Sequence, residues 1–169
     1  MGPWRISNHY SKDFFSIMPC NIYGENDNYD LKNSHVVPAL VRKFSEAVRF
    51  EKDYVEIWGD GSAMREFLHV DDLADASVFL MNHSINKSFL NVGYGKDISI
   101  KELANKLKII SGFTGDLMFN SNFPNGTPRK ILDSSVINNM GWYPKIDFNE
   151  GLKQVFLNYH NKALENDNI

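Results

Sequence analysis

The segment that most constrains the fold is VEIWGDGSAMREFLHVDD, residues 55–72. A strand pattern covers Val55 to Trp58, and a second strand pattern runs from Glu66 to Val70. The Gly-Asp-Gly sequence between them favours a turn, because glycine takes positive φ without a steric cost. The segment therefore predicts a hairpin that leads directly into a helix.

Two acidic residues, Asp71 and Asp72, precede the alanine-rich start of that helix. A carboxylate at this position can accept hydrogen bonds from the free N–H groups of the first turn. We therefore predict that Asp71 and Asp72 act as helix-start caps.

A hairpin in residues 55–72 would bring Trp58 close to Arg65. A flat aromatic face beside a fork-shaped cation suits a ligand that has a planar ring and a phosphate. The alternative is a surface hairpin in which Trp58 packs on the core and Arg65 is solvated. Spacing alone leaves both interpretations open.

Strand and helix patterns alternate along the rest of the chain, which indicates an α/β or α+β fold. The predicted strands are a buried strand at Phe14–Met18 closed by Pro19, a strand at Phe89–Val92 and a short strand at Leu117–Phe119. One predicted helix is capped by Ser34 with Pro38 in its first turn, and another has a capping box at Ser99–Glu102 and stops at Gly112. Two further helices are predicted to begin near Asp133 and Asp147.

Two further stretches are candidate binding elements. His35 lies at a predicted helix start, where extra positive charge is disfavoured, so the residue suits acid/base chemistry; the alternative is a capping or buried histidine. The sequence FPNGTPRK, residues 123–130, predicts a stiff loop with two adjacent cations, and the alternative is an ordinary turn with solvated charges.

Composition limits the classes of protein to which the chain can belong. The 169 residues are 43% hydrophobic and 23% charged with a net charge of −3, which indicates a folded domain and argues against a general nucleic-acid surface. Cys20 is the single cysteine, so no intrachain disulfide forms and a cytoplasmic location is expected. No apolar run approaches the ~20 residues of a membrane helix, and no metal-ligand spacing or glycine-rich dinucleotide turn occurs.

Six segments in order carry a family resemblance: MPCNIYGENDNYD, NSHVVPALVRKF, WGDGSAMREFLHVDDLADA, LNVGYG, NGTPRKILD and GWYPKI. Together they resemble the C-terminal half of the GDP-L-fucose synthases, NADP-dependent 3,5-epimerase/4-reductases of the extended short-chain dehydrogenase type. The resemblance implies an α/β fold: the C-terminal part of a Rossmann-type enzyme with its small substrate-binding domain, and without the N-terminal cofactor-binding part. It divides the chain into a Rossmann remnant (1–34), a mainly GDP-sugar-binding domain with segments that return to the Rossmann sheet (35–164) and a frayed tail (165–169).

The resemblance also implies roles for individual residues. His35 matches the acid/base histidine of epimerisation and lies near the nicotinamide. The segment that closes over the nicotinamide side of NADP is matched by Pro19, Cys20, Asn21 and Ile22. Contacts to the GDP-sugar are implied for Lys43, Trp58, Arg65, Asn125 and Arg129.

The sequence departs from the family in several places. The family usually has Thr at Cys20 and Asp at Asn125, and its glycine-rich turn, catalytic cysteine and Tyr-x-x-x-Lys have no counterpart here. The partners that the resemblance implies are a GDP-sugar and either a second copy or an upstream complementary chain. A non-catalytic remnant that at most binds a GDP-sugar or a partner is the alternative function. An unpaired edge on the strand at Phe14–Met18 would favour association.

Overall fold

The computed structural model describes residues 14–85 and 87–167, so the first residues of the sequence, including 1–7, lie outside the description. The strands are β1 (Ser16–Pro19), β2 (Asn21–Tyr23), β3 (Tyr54–Trp58), β4 (Met64–His69), β5 (Phe89–Val92), β6 (Asp97–Ser99), β7 (Asp116–Asn120) and β8 (Arg129–Lys130). The helices are α1 (Val36–Arg49), α2 (Val70–Met81), α3 (Ile100–Ser111), α4 (Ser135–Asn139) and α5 (Phe148–Asp167). The α/β prediction is confirmed.

Most strand pairs are parallel. Strand β1 pairs with β5, β2 pairs with β4, and β3 pairs with β7, each in parallel. Strand β4 also pairs with β6 in antiparallel and with β8 in parallel, so it is the centre of its sheet. In α/β proteins, ligands bind beside the carboxyl ends of the parallel strands.

The predicted hairpin in residues 55–72 is wrong. Strands β3 and β4 are consecutive in the chain but belong to different sheets. Gly59 and Gly61 do have positive φ, yet they are separated by Asp60, whose amide donates to Asn125 instead of closing a two-residue turn. Alternation along a strand fixes which face is buried but not which strand is the neighbour, and therefore could not reveal this pairing.

The helices pack around two hydrophobic clusters. The first cluster joins α1, α3 and α5 to β3 and contains Phe44, Ile57, Leu107 and Leu152. The second cluster joins β1 and β5 to α2 and α4 and contains Leu80 and other buried apolar side chains. On β4, Phe67 belongs to the first cluster and Leu68 to the second, so this strand separates the two clusters.

The helix starts correct two predictions. His35 is the N-cap of α1, with no hydrogen bond from its side chain, and Ser34 does not cap the helix. His69 is the N-cap of α2, and its Nδ1 accepts from the amide of Asp71 at 3.3 Å. The N-cap position predicted for Asp71 and Asp72 is therefore wrong: both lie inside the first turn, and the Asp72 carboxylate is buried and accepts hydrogen bonds from a distant segment.

The other predicted elements are present, but the burial predicted for the first strand is wrong: β1 covers Ser16–Pro19 and each of its residues is partly or fully exposed. The capping box at Ser99–Glu102 is formed, and α3 ends at Gly112 with φ of 70°. Helix α5 continues to Asp167, three residues into the stretch that was expected to fray. Among the described helices, none has the length and apolar character that crossing a membrane requires.

A partly buried histidine makes the fold sensitive to pH. His160 on α5 hydrogen bonds through Nδ1 to the buried Ser45 hydroxyl of α1 at 3.0 Å. Burial, aided by the charge of Arg49, lowers the pKa of His160 below its ordinary value. Protonation therefore favours the unfolded chain, and stability is lost as the pH falls below the ordinary histidine value of about 6.5.

We expect the melting temperature to fall by a few degrees between neutral pH and about pH 5, and a His160→Gln variant to lose part of that fall. Thermal unfolding followed by circular dichroism at a series of pH values measures the difference. His83, which is exposed, provides the matched control as His83→Gln. Equal pH dependence in the wild type and His160→Gln would contradict the assignment.

Candidate functional site

The candidate site lies at the carboxyl ends of β3 and β7. A loop leads from the end of β7 toward β4. We call residues 121–128, between β7 and β8, the β7–β8 loop. Asn125 in this loop accepts from the amide of Asp60 at 2.8 Å. Thr127 accepts through its carbonyl from Nη1 of Arg65 at 2.6 Å. The loop thus contacts the backbone that follows β3 and the Arg65 side chain of β4.

Trp58 ends β3 and is half exposed, with 48% of its surface accessible. Its indole stacks on the ring of Phe123 in the β7–β8 loop, with centroids 4.4 Å apart and planes inclined by 7°. Lys43 from α1 lies over the same indole, 5.2 Å from the ring centroid to Nζ. An aromatic surface and a cation therefore meet at one point.

Lys43 is a partly buried cation whose only described hydrogen bond goes to a neutral group. Its Nζ donates to the carbonyl of Glu56 at 2.8 Å. Burial lowers the pKa of Lys43, and the Glu56 charge opposes that effect only in part. A bound anion would stabilise an ammonium group that is partly removed from water and hydrogen bonded to a neutral carbonyl.

Arg65 resembles Lys43 in this respect. Nη1 of Arg65 donates to the carbonyls of Met64 and Thr127, at 2.7 Å and 2.6 Å. Both acceptors are neutral, so the remaining donors of the guanidinium fork have the geometry to bind a phosphate group.

Arg129 differs from Arg65. Its guanidinium forms a bidentate ion pair with Asp97, at 2.5 Å and 3.1 Å, which lowers the pKa of that carboxyl. The strand register pairs Arg65 with Lys130 and Met64 with Arg129. Adjacent residues of a strand project to opposite faces, so Lys130 shares the face of Arg65 and Arg129 lies on the other face.

A cavity of about 470 Å³ lies beside Lys43, between α1, β3 and the loop after β2. Leu31, Asp53 and Glu56 are among its lining residues. Its volume is within the usual range for small-molecule sites. Of the residues predicted to contact a ligand, Lys43 lines this cavity directly.

His35 is the N-cap of α1, and Lys43 lies in the middle of that helix. His35 is exposed, and eight residues separate it from Lys43, about 12 Å along the helix axis. The structure therefore links Lys43, Trp58, Arg65 and Asn125 through shared contacts, and leaves His35 about 12 Å from Lys43 along α1.

The predicted cofactor segment lies between β1 and β2. Cys20 is buried, and burial followed by the charge of Glu66 raises the pKa of its thiol to about 12. The thiol therefore stays protonated at neutral pH and is no nucleophile. Asn21 donates through its amide group to the carbonyl of Glu66 at 2.8 Å, and Pro19 is exposed at the end of β1.

Sequence reasoning missed Glu66, a carboxylate with 0% exposure. Its two oxygens accept from the amides of Gly95 and Leu132, at 2.7 Å and 2.9 Å. The same oxygens approach Gly93 so closely that a Cβ there would clash. A signal was present, because alternation along β4 places Glu66 on the inward face of Leu68, opposite to Arg65.

Comparison with known proteins agrees with this fold. Residues 4–93 match the NAD dependent epimerase/dehydratase family. The chain is 51% identical over 153 residues to the probable GDP-L-fucose synthase 1 of Oryza sativa subsp. japonica, covering 90% of this chain and 46% of that protein. It is 42% identical over 156 residues to the GDP-L-fucose synthase of Escherichia coli strain K12, covering 87% and 49%.

A solved structure gives the same result. The GDP-mannoheptose C4 reductase MlghC of Campylobacter jejuni, with NADP bound, has a TM-score of 0.77 and 34% identity, covering 92% of this chain and 55% of that chain. The fold and these matches define an α/β protein, and the chain belongs to the NAD dependent epimerase/dehydratase family. It spans about half the length of the curated relatives that it matches.

Proposed function

We propose that this chain carries the GDP-sugar-binding part of a GDP-L-fucose synthase. In its complete form the protein would convert GDP-4-keto-6-deoxy-D-mannose to GDP-L-fucose with NADPH. One observation carries the proposal: the β7–β8 loop contacts both an exposed indole and Arg65, and Lys43 lies over the same indole, and neither cation has a carboxylate hydrogen-bond partner among the described residues. The choice of a GDP-sugar as the ligand is supported by relatives that are named GDP-L-fucose synthases.

The binding roles follow from the chemistry of a nucleoside diphosphate sugar. Trp58 offers a flat surface to the base, and the cations Lys43 and Arg65 neutralise the diphosphate. Lys130 shares the face of Arg65, so we add it to the proposed diphosphate ligands. Arg129 is already neutralised by Asp97, which supports a structural role for it.

The epimerisation steps need an acid/base group. The protons at C3 and C5 of the substrate are acidic because they lie beside the C4 ketone, and histidine suits their transfer near neutral pH. His35 is exposed, and no side-chain hydrogen bond ties its imidazole to the first turn of α1. We propose that His35 supplies one member of the acid/base pair that removes and returns these protons, because inversion requires a second group on the opposite face of the sugar.

NADP is the proposed cofactor, and it would supply the hydride that reduces C4. The segment at 19–22 fits this role in part: Pro19 is exposed at the carboxyl end of β1, and the amide nitrogen of Asn21 is fixed by Glu66. Cys20 is buried and would contribute only backbone atoms. Ile22 is partly buried, so its side chain would help to hold the segment in place.

The same proposal extends to organisation and location. We propose that the second hydrophobic cluster belongs to the Rossmann part of the complete protein and the first cluster mainly to the GDP-sugar part, so that segments after residue 34 return to the Rossmann part. A second copy or a complementary chain would cover β1, which pairs only with β5 among the described strands. A cytoplasmic location is proposed from the single reduced cysteine.

Calorimetric titration of the chain with GDP tests the proposal. We expect one GDP to bind per chain, GDP-L-fucose to compete for the same site, and UDP to bind more weakly. If neither GDP nor GDP-L-fucose produced binding heat, with or without an added cofactor-binding partner, the proposal would be rejected.

A second candidate is a protein that binds a GDP-sugar without turnover. It is favoured by the distance of His35 from the cation cluster, which separates the acid/base group from the binding residues in this chain. NADPH consumption by the chain in the presence of GDP-4-keto-6-deoxy-D-mannose would exclude this candidate. Binding of GDP without any NADPH consumption would support it.

A further inference from the structure

The aromatic pair of Trp58 and Phe123 does not serve the hydrophobic core. On β3, the core is filled by Val55 and Ile57, whose side chains are almost completely buried. Trp58 projects to the other face and keeps half of its surface exposed even though one of its sides meets Phe123. An exposed indole that is nevertheless held in a parallel stack has surface to offer to a ligand.

The backbone around Phe123 is fixed on both sides. Its amide donates to the carbonyl of Asn120 at 3.2 Å, and the same carbonyl accepts from the amide of Gly59 at 2.9 Å. Asn120 is the register partner of Trp58 in the β3–β7 pair. Pro124 follows Phe123 and restricts its backbone to extended conformations. The two rings therefore extend from adjacent strand ends at a fixed separation.

Polar contacts restrain the indole from a second direction. Nδ2 of Asn120 donates to a carboxylate oxygen of Glu56 at 2.7 Å. The carbonyl of Glu56 accepts from Lys43, whose ammonium lies over the indole of Trp58. Trp58 thus contacts a ring that is anchored to β7 and a cation that is anchored to β3.

We propose that Phe123 is a positioning residue of the nucleotide site: it holds the indole of Trp58 in the orientation in which its exposed surface stacks on the base of a nucleoside diphosphate. This inference rests on the proposed function and assigns a role to a residue that the resemblance does not include. A prearranged ring loses less conformational entropy on binding than a mobile one, and an aromatic stack contributes its own attraction.

Substitution of Phe123 separates the stacking role from a merely structural one. Phe123→Leu keeps an apolar side chain of similar size without a ring, and Phe123→Tyr keeps the ring. Calorimetry with GDP should show affinity about 2- to 10-fold weaker for Phe123→Leu and near the wild-type value for Phe123→Tyr. Inorganic diphosphate, which has no ring, should bind both variants as it binds the wild type.

A second measurement needs no ligand. In protein labelled with 5-fluorotryptophan, the ¹⁹F resonance of Trp58 is identified by its loss in Trp58→Phe. Phe123→Leu should shift and broaden this resonance, because the neighbouring ring current and the restraint are both removed, while the resonance of the buried Trp142 stays unchanged.

The outcomes distinguish the inference from the proposed function. Wild-type protein whose Trp58 resonance and heat signal do not respond to GDP would reject the proposed function together with the positioning role. Wild-type binding of GDP combined with unchanged or tighter binding by Phe123→Leu would overturn only the role of Phe123. Equal weakening of GDP and inorganic diphosphate would also overturn it, because it would indicate general disruption of the β7–β8 loop.

Discussion

Replacement of Arg65 by methionine is expected to weaken GDP binding by about 10- to 100-fold, the usual effect of losing hydrogen bonds from a charged group to a phosphate. The guanidinium of Arg65 faces neutral carbonyls of Met64 and Thr127, so its charge is available to an anion. Arg65→Lys should retain part of the affinity, since it keeps the charge but loses the fork that binds two oxygens. Calorimetric titration with GDP measures each change.

Arg129→Met is the matched control. Arg129 lies on the neighbouring strand but is engaged by Asp97 and faces away from Arg65. We expect its loss to change GDP affinity by less than about 3-fold, as for other exposed ion pairs. A larger loss for Arg129→Met than for Arg65→Met would show that the diphosphate lies on the opposite face of β4.

Substitution of Asp72 by alanine should cause a large loss of stability. The carboxylate of Asp72 is buried on α2 and accepts from the amides of Lys145 and Ile146, at 3.0 Å and 3.1 Å. Removal of the carboxylate leaves both amides without a partner, at a cost of about 1–3 kcal/mol for each buried group. The expected loss is about 3 kcal/mol, which lowers the melting temperature of a domain of this size by about 6–12 °C.

Asp71→Ala is the control for this substitution. The side chain of Asp71 is 74% exposed and adjoins Asp72 in the chain. Its interaction with the first turn of α2 is worth about 0.3–1 kcal/mol, so the melting temperature should change little. Chemical denaturation of both variants gives the two free energies of unfolding. A similar loss in both would contradict the role assigned to Asp72.

Local signals in the sequence predicted the elements well where the determining contacts are also local. The capping box at Ser99–Glu102 and the stop at Gly112 involve residues within one turn of the helix, and both are present in the structure. The strand at Phe89–Val92 was predicted with its observed bounds. In these cases, the residues that fix the conformation are close together in the sequence.

Contacts between distant segments could not be predicted from the sequence. Asp72 has the composition and position of a helix cap, yet its partners at 145 and 146 lie more than seventy residues away. Likewise, β3 has the pattern of a hairpin strand, but its partner is β7. The chemistry of these residues was recognised correctly, while their partners depended on the tertiary fold.

The candidate site shows the same division. Trp58 and Arg65 were expected to lie close together through a hairpin, and the structure links both of them to the β7–β8 loop instead. Phe123 was not predicted as a site residue, because its stack on Trp58 requires the pairing of β3 with β7. Glu66 was missed because its role depends on amides from two other loops.

The contacts that anchor the β7–β8 loop have a kinetic consequence. Hydrogen bonds fix Phe123 to the end of β7, Asn125 to the turn after β3, and Thr127 and Pro128 to β4 before any nucleotide arrives. The entropic cost of ordering the loop is therefore met during folding and not during encounter. Capture of a nucleotide should then resemble docking to a rigid surface, with an on-rate set by diffusion and charge attraction rather than by a slow closing step.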